Sequence, residues 1–511
     1  MTEPSAAATP EPESPLGELT GDPVPRMVKA TLAMAASSAA VIAFAAVRAK
    51  IVAVELGPQG IGALTLLLSF VTFAALALGL GIGNSAVKEI AAAEARGESA
   101  WRDQLRRALY VLSAVLALTG AVVIALLAGP IADLLGDPGL ETEMRLAALA
   151  VGATVIGAAA LADLNGFRHI RALARIEPLA GLTATIAAAL AWLAGADLIL
   201  VVILAPTLAL AVFALFATRT LPPLGGFRRP TSLTRPSRHL VTLGVAFVTN
   251  SVLAALGALL LRILIDGELG RAATGEFQAA FAIAGYYVSF IFTALATDYL
   301  PLLSSLSDDE PRLNEVANSQ LLVAVLMSAP IVMLLIVAAP VIVPLFYSGS
   351  FTDTPGLLQV MLLGELTRIA AWTIGYILVA RTARTLFVAT ELLYNLLLIG
   401  LTAAFIPRLG LEGTALAFLI CQLASLGWTL AFVRRVSRFS LSHRNVLNLA
   451  GYGGAAGLAY AAAATGGVAL GAAWVIVVAT AVVATRALLR LLPEAPAPLS
   501  RLFSWTGRAG S

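Results

Sequence analysis

Two short stretches of the chain are alike: KIVAVELGPQGIG at residues 50–62 and RILIDGELGRAATG at residues 262–275. Each has a cation near the end of an apolar run, then Glu-Leu-Gly, then a second glycine at the start of the next apolar run. The two triplets begin at Glu55 and Glu268. An apolar run that stops at a glycine is typical of a helix end. The two stretches therefore predict the same helix break in two places.

A second pair of segments supports an internal repeat. The loops FRHIR and ARTAR have the same separation along the chain as the two triplets, which pairs Arg168 with Arg381. An acidic residue follows each loop within an apolar run, Glu177 and Glu391. We therefore predict two halves of six helices each. Six is an even number, so both halves have the same orientation and are related by an axis along the membrane normal, and transporters of this kind bind substrate at the interface of their repeats.

The composition indicates a membrane protein. The chain has 511 residues, of which 59% are hydrophobic and 12% are charged, whereas about 25% charged residues are typical of soluble domains. The apolar runs are too long for strands and do not alternate, so we predict an all-α polytopic bundle with about 14 transmembrane helices. The expected spans are 30–54, 61–83, 106–128, 146–163, 174–194, 197–217, 240–264, 275–303, 319–346, 356–380, 385–406, 411–433, 447–464 and 467–489.

Basic residues set the expected orientation and the segment boundaries. Most of the 33 lysines and arginines fall in alternate loops, and the opposite loops hold only Arg145, Arg271 and Arg408, so both termini are expected to be cytoplasmic. The terminal tails are rich in Pro, and we expect the acidic N-terminal one to be disordered. The predicted segments are an acidic tail (1–27), a first half (28–220), a basic linker (221–238), a second half (239–435), two additional helices (436–490) and a C-terminal tail (491–511).

Charged and polar side chains inside the predicted spans are the candidate site residues, because charge within a bilayer is costly and often marks function. Arg48, Lys50 and Arg262 occupy nearly equivalent places in the two halves and are expected to form a cationic cavity. A phosphate or diphosphate suits such a cavity, since arginine binds it in a forked geometry. The substrate-binding candidates are Arg48, Lys50, Asn84, Lys88, Arg262 and Gln278, and the ion-coupling or gating candidates are Asp298, Glu365, Arg368 and Glu391.

Structural roles remain open for several of these residues. Glu55 is a candidate helix cap or ion-pair partner of Lys50, and Lys88 can extend its charged end to the interface. Glu365 and Arg368 are three residues apart, so they can neutralise each other on one helix face. Arg48 can reach outer lipid headgroups, and Asp298 lies near a helix end.

Motifs of several enzyme classes are absent from the sequence. It contains no phosphate-binding loop of the G-x-x-x-x-G-K-[ST] type, no zinc-protease motif, no nucleophile elbow and only one cysteine, Cys421. The three histidines all lie in predicted cytoplasmic loops. We therefore expect a protein that is not an enzyme and that has no cofactor, no metal and no nucleic-acid partner.

The stretches VKATLAMAASSAAVIAFAAVRAKIVAVELGPQGIG and GIGNSAVKEIA, and later YLPLLSSLSD (299–308) and GELTRIAAWTIGYILVARTARTLFVATE (364–391), resemble the Wzx-type O-antigen translocases. These are lipid-linked oligosaccharide flippases of the multidrug/oligosaccharidyl-lipid/polysaccharide exporter superfamily, and the likeness is strongest to the enterobacterial common antigen flippases. It covers roughly residues 28–435. The residues that match the family are Lys50, Asn84, Lys88, Arg168, Arg262, Gln278, Glu365, Arg368 and Glu391, whereas Arg48, Asp298 and the helices in 447–490 depart from it.

The resemblance implies a function. It implies alternating-access transport of an undecaprenyl-diphosphate-linked oligosaccharide across the bacterial cytoplasmic membrane, coupled to an ion gradient or to the membrane potential. The implied partners are this lipid-linked substrate, membrane lipids, a polysaccharide polymerase and a chain-length regulator. The alternatives are a peptidoglycan-precursor flippase, a cation-coupled multidrug antiporter of the same superfamily, and a membrane enzyme such as a polymerase.

Overall fold

The computed structural model describes residues 23–224, 233–306 and 308–491, and it describes no side chains at 23–36, 246 and 287–298. The predicted tails and the middle of the basic linker lie largely outside the described residues. The described chain is helical, with only short 3-10 turns besides α-helices. An all-helical fold is what long apolar segments require in lipid, because a helix satisfies its own backbone hydrogen bonds. The predicted all-α class is confirmed.

In the described residues, the first half contains seven α-helices and the second half contains another seven, with a helical hairpin after them. The first seven are α1 (Pro23–Gly79), α2 (Ile82–Ala95), α3 (Ser99–Leu126), α4 (Ala128–Leu134), α5 (Glu141–Gly166), α6 (Ile170–Ala194) and α7 (Leu198–Ala217). The others are α8 (Thr234–Leu269), α9 (Arg271–Ser305), α10 (Glu310–Phe346), α11 (Thr354–Leu363), α12 (Glu365–Ala380), α13 (Arg384–Leu409), α14 (Glu412–Val436), α15 (His443–Thr465) and α16 (Gly467–Leu491).

The described residues contain fewer helices that are long and apolar enough to span a membrane than the sequence predicted. Within the described residues, ten helical segments are long and apolar enough to cross a membrane, or eleven if the pair α11 and α12, bent by 46°, forms one span. The predicted number of fourteen is therefore not confirmed. Helix α15, rich in Gly and Ala, is not among these segments, and residues 37–79 of α1 are counted as one although the helix breaks within them.

The predicted helix breaks are present in both halves. Gly57 interrupts α1 with φ 61° and ψ −165°, and Gly270 separates α8 from α9 with φ 84° and ψ 175°. Only glycine adopts this backbone region readily, because a Cβ atom would clash. Pro58 follows the first break as the first residue of the next helical turn, where its missing N–H costs nothing. The same residue type therefore has the same conformation at both repeat positions.

The two breaks also pack against each other reciprocally. A Cβ atom on Gly62 would lie 2.0 Å from the carbonyl oxygen of Arg271, and one on Gly275 would lie 1.9 Å from that of Pro58. The spacing of the two Glu-Leu-Gly triplets also relates Gly62 to Gly275 and Pro58 to Arg271, so each half makes the same contact with the other. This is the self-complementary contact expected across a two-fold axis. Close backbone approach at small residues is a common way for membrane helices to associate.

The alignment of the second pair of repeat segments, FRHIR and ARTAR, shifts by one position relative to the prediction. Arg168, in the turn between α5 and α6, has φ 55°, and Thr382, in the turn between α12 and α13, has φ 53°. Their shared conformation aligns Arg168 with Thr382 rather than with Arg381, and the same spacing aligns Glu177 with Glu391. The repeat spacing in this region is therefore longer by one position, so the second half has one residue more than the first between the two repeat motifs.

A second contact joins the halves far from the glycine breaks. A Cβ atom on Gly81 would lie 2.2 Å from the carbonyl oxygen of Gly244, so α2 and α8 touch backbone to backbone. The Ser85 hydroxyl donates to the carbonyl of Leu240 at 2.8 Å, and His239 lies 3.0 Å from the carboxylate of Glu89. The halves thus touch near both ends of α8, and a cleft remains between the two contacts.

Candidate functional site

Arg262 lies on α8 between the two contacts, in the wall shared by two cavities. Its side chain is only 7% exposed. The Nε and Nη2 atoms donate to the side-chain oxygen of Gln278 at 3.1 and 2.7 Å, and Nη1 donates to the carbonyl of Ala258 at 2.8 Å. The guanidinium also lies over the ring of Phe281, 5.5 Å from its centroid. These neutral groups hold the cation in a fixed orientation.

No acidic side chain forms an ion pair with Arg262 among the residues that the structure describes. Removing a cation from water costs several kcal/mol after relaxation, and neutral hydrogen bonds and one cation–π contact recover only part of that cost. A guanidinium has five N–H donors, and three of its contacts here go to protein acceptors. The remaining donors and the uncompensated positive charge suit an anionic ligand.

The smaller of the two cavities is a central cleft of about 210 Å³ between α1 and α8. Thr65, Ser69 and Thr72 of α1 face Arg262 and Gln278 across it. The Ser69 hydroxyl donates to the carbonyl of Thr65 at 2.6 Å, and that of Thr72 donates to Leu68 at 2.8 Å. Their hydrogens are therefore used within α1. Arg262 is the charged donor in this cleft.

The larger cavity, of about 690 Å³, lies inside the second half between α8, α9, α12, α13 and α14. We call it the C-half cavity. Gly257 of α8 allows the approach of Asn395 on α13, because a Cβ atom would lie 1.8 Å from the amide oxygen. Ala258 and Arg262 line both cavities, so the two are adjacent. Aromatic residues and side-chain polar groups form much of the wall: Phe281, Trp372, Tyr376, Phe387, Trp428, Asn250, Arg368, Glu391, Asn395 and Gln422.

The predicted coupling residues have different positions relative to this cavity. The carboxylate of Glu391 lines it and accepts a hydrogen bond from Asn395 at 2.9 Å, and Asn250 also hydrogen-bonds to it. Glu365 is 0% exposed and pairs with Arg368 at 2.9 Å. Arg368 lines the cavity, whereas Glu365 lies behind it, so the neutralised pair that the sequence left open is formed. One oxygen of Glu365 has no hydrogen-bond partner among the described residues.

The sequence analysis predicted that Arg48, Lys50 and Arg262 line one cavity. In this structure Arg48 and Lys50 line neither of the two cavities that Arg262 lines. The Nζ atom of Lys50 donates to the carbonyl of Pro344 on α10 at 2.7 Å, and Arg48 lies near Tyr286 of α9. Glu55 accepts a hydrogen bond from the indole of Trp192 at 2.8 Å instead of pairing with Lys50. Helix α1 is apolar on all sides, so the sequence does not show which way these side chains turn.

Other predicted site residues lie outside both cavities or outside the described side chains. Asn84 and Lys88 are exposed on one face of α2, and Arg168 is in the turn after α5. The side chain of Asp298 lies outside the described residues. Gln278, in contrast, lies beside Arg262 in the central cleft.

A buried polar cluster in the first half was missed by sequence reasoning. Arg106 forms two-pronged hydrogen bonds with Asp163 at 2.8 and 3.0 Å, and Tyr110 donates to the same carboxylate at 2.9 Å. Arg106 also donates to the carbonyl of Pro222 at 2.7 Å, which ties the end of α7 to α3 and α5. The available signal was Asp163, which lies in the apolar part of α5, far from the acidic residues of its first turn. None of these residues lines either cavity, and the cluster joins α3 to α5 within the first half.

The sequence of this chain is similar to the sequences of known membrane proteins. The sequence profile of the polysaccharide biosynthesis protein family matches residues 51–354, which is more than half of the chain. The chain belongs to this family. The chain is also 26% identical over 400 residues to the lipid III flippase of Escherichia coli (strain K12), covering 77% of this chain and 94% of that protein. The lipid III flippase of Shigella flexneri matches to the same extent.

Solved structures show that this member of the polysaccharide biosynthesis protein family shares its fold with transporters. It superposes on the lipid II flippase MurJ in an inward closed conformation with a TM-score of 0.69, 15% identity, and coverage of 91% of this chain and 100% of that one. An inward-facing multidrug transporter of the MATE family gives a TM-score of 0.63 at 15% identity, covering 77% and 94%. Identities this low establish the fold only. They place the chain in the architecture that the sequence predicted.

Proposed function

We propose that this chain is a flippase that moves an undecaprenyl-diphosphate-linked oligosaccharide across the bacterial cytoplasmic membrane by alternating access. Family membership and the two relatives named lipid III flippase support this substrate class. In this proposal the chain is a transporter rather than an enzyme. Both termini face the cytoplasm, where most of the basic loops lie.

The observation that carries the proposal is the position of Arg262. A diphosphate cannot cross hydrocarbon unaided, because even one ion costs several kcal/mol to desolvate. Arg262 offers that headgroup a buried cation between the two halves, with neutral partners and no competing carboxylate among the described contacts. The lipid tail then stays in the bilayer while the headgroup moves through the cleft.

Two alternative functions have less support than this one. A cation-coupled drug antiporter needs an acidic site, whereas the two cavities hold Arg262 and Arg368 against the single carboxylate of Glu391. A peptidoglycan-precursor flippase shares the architecture, and MurJ gives the higher TM-score of the two structures compared above. The relatives at 26% identity carry another name, so the oligosaccharide substrate is preferred.

Coupling to an ion gradient or to the membrane potential is a further part of the proposal. Glu391 is the first candidate because its carboxylate lines the C-half cavity, where a proton can reach it. Glu365, paired with Arg368, is the second, and Asp298 remains a gating prediction. A polysaccharide polymerase and a chain-length regulator are the proposed protein partners, since they act on the exported unit.

The proposal is tested by deleting the gene in its native host and by complementing the deletion strain with the gene. Loss of the transporter should remove surface glycan and cause lipid-linked oligosaccharide to accumulate with its sugar on the cytoplasmic side. Spheroplasts and inverted vesicles, probed with an impermeant periodate label, distinguish the two leaflets. Normal surface glycan without accumulation, in a host with no second flippase gene, would contradict the proposal.

A further inference from the structure

The C-half cavity is larger than a diphosphate site requires and differs from it in chemistry. Its volume of about 690 Å³ is within the range of about 300–1,000 Å³ that small-molecule pockets occupy. Arg262 lies at its edge, and the central cleft of about 210 Å³ begins on the other side of the same residue. A headgroup held at Arg262 therefore has this cavity next to it.

Three large amphipathic aromatic residues line the cavity. Trp372 and Tyr376 lie one helical turn apart on α12, edge to face with ring centroids 4.3 Å apart, and Trp428 lies on α14. All three are only half-buried. Among the described residues, the Tyr376 hydroxyl and the Trp428 indole N–H have no protein hydrogen-bond partner. The polar ends of Tyr and Trp can hydrogen-bond while their rings pack on apolar surface, so these two groups are available to a polar ligand.

Amide groups complete the polar part of the wall. The amide oxygen of Asn250 is buried and has no hydrogen-bond partner among the described residues, although a buried polar atom usually has one. Its amide nitrogen is used by Glu391. The Gln422 amide donates to the hydroxyl of Tyr394 at 3.1 Å, which leaves its oxygen as an acceptor. Acceptors and aromatic surfaces therefore line the same cavity.

We propose that the C-half cavity binds the sugar part of the lipid-linked oligosaccharide while Arg262 holds the diphosphate. This inference rests on the proposed function. A sugar ring has an apolar C–H face that packs on an aromatic ring, and hydroxyl groups around its edge that donate to amide and carboxylate oxygens. A lipid tail cannot hydrogen-bond to the unpaired oxygen of Asn250. A cationic drug has no favourable charge interaction with the nearby Arg262 and Arg368.

Photo-cross-linking in cells that make the native glycan tests this assignment. The photoreactive residue p-benzoylphenylalanine replaces Phe387 or Trp428 in the C-half cavity, Thr72 in the central cleft, and Trp474 on α16 as a lipid-facing control (40% exposed). After irradiation the full-length protein is purified and digested, and cross-linked peptides are analysed by mass spectrometry for glycan fragments. Glycan adducts at Phe387 and Trp428, and none at Trp474, are expected.

The outcomes separate the two proposals. Glycan adducts at Thr72 alone would leave the flippase assignment standing and overturn the sugar site in the C-half cavity. Prenyl adducts without sugar at Phe387 and Trp428 would assign the cavity to the lipid. An absence of substrate adducts at every position, together with normal glycan in the deletion strain, would contradict the flippase function itself.

A binding measurement in nanodiscs keeps the inference testable independently of the cross-linker. The probes are bare undecaprenyl diphosphate and the lipid-linked oligosaccharide extracted from the deletion strain. Trp428→Leu should weaken binding of the sugar-bearing lipid by about tenfold, because aromatic stacking and one hydrogen bond are lost, and should leave bare undecaprenyl diphosphate unchanged. Trp428→Phe should retain part of the difference, and Trp474→Leu should change neither. Equal weakening of both lipids by Trp428→Leu would refute the sugar site.

Discussion

The two halves use equivalent helices for different purposes. In the register set by Arg168 and Thr382, the α5 residues Thr154, Ala158 and Ala162 correspond to Arg368, Trp372 and Tyr376 of α12. Helix α5 is rich in alanine and packs against α3 and α7, and Gly157 lies where a Cβ atom would be 3.2 Å from the Cα atom of Ala211. Helix α12 places large side chains around a cavity at the same repeat positions.

The difference shows that one repeat can serve as a closely packed scaffold while the other forms a cavity for a ligand. Small residues let membrane helices approach closely and exclude space between them. Large aromatic residues keep neighbouring helices apart and supply a surface for a ligand. The acidic pair follows the same division, since Glu177 is exposed on α6 whereas Glu391 lines the C-half cavity. The predictions below use the first half as the internal control for the second.

The largest expected effect is from Arg262→Ala. Loss of a charged hydrogen-bond donor to the diphosphate should reduce transport about 10- to 100-fold. Arg262→Lys should retain part of the activity, because the charge remains while the planar geometry is lost. Rates are measured from leaflet-specific labelling of lipid-linked oligosaccharide in the complemented deletion strain.

Protein stability distinguishes this result from misfolding. Removing a buried cation that has no acidic partner among the described residues also removes its desolvation cost, so the melting temperature of Arg262→Ala in detergent should not fall. Arg408→Ala, at the exposed end of α13, is the matched control and should transport normally. Normal glycan export by a well-expressed Arg262→Ala protein would refute the diphosphate site.

A leucine placed in each half should have opposite effects. Gly375 has space beside it, since a Cβ atom would lie 3.8 Å from Thr429 at the cavity wall, whereas Gly157 is closely packed against α7. Gly375→Leu should fold normally and reduce transport about tenfold by filling the cavity. Gly157→Leu should lower the free energy of unfolding by about 1–3 kcal/mol through overpacking. Thermal unfolding and transport are measured on both proteins, and a destabilised Gly375→Leu with full specific activity would show that the cavity is not used.

A smaller effect is expected from neutralising the equivalent carboxylates. Glu391→Gln should make transport insensitive to an imposed pH gradient if Glu391 carries the coupling proton, because the amide cannot titrate. Glu177→Gln, at the exposed repeat-related position, should keep the gradient dependence of the parent. Transport in inverted vesicles with and without the gradient is the measurement. A Glu391→Gln protein that responds to the gradient like the parent would transfer the role to Glu365 or to another group.

The sequence predicted what depends on local patterns. Apolar length identified the helices, and Gly57-Pro58 and Gly270 marked the breaks, because a non-glycine residue does not adopt these dihedral angles easily. Arg262 and Gln278 were both named as binding candidates, and the structure shows that they form a hydrogen bond with each other. These features can be predicted without knowing how distant segments of the chain pack together.

Distant packing explains what the sequence did not predict. Arg106 and Asp163 are far apart along the chain, and neither has a local pattern that identifies the other as its partner. Trp372 and Trp428 line one cavity from different helices, and in apolar helices their cavity-facing side cannot be distinguished by hydrophobic periodicity. The same ambiguity applies to Lys50, which the sequence analysis assigned to a cavity shared with Arg262 and which contacts Pro344 in this structure.

Lys50→Ala should therefore have the smallest effect of these substitutions. The lysine holds the end of α10 through the Pro344 carbonyl rather than facing either cavity, and one such hydrogen bond contributes about 0.5–3 kcal/mol depending on its exposure. The contact joins α1 of the first half to α10 of the second, so its loss should shift the balance between conformations while the substrate affinity stays unchanged. Transport is expected to change by no more than about threefold, and binding of bare undecaprenyl diphosphate should equal that of the parent. If Lys50→Ala weakened that binding as strongly as Arg262→Ala, the lysine would have to turn into the central cleft in another state of the transport cycle, and the division between a scaffold half and a site half would fail.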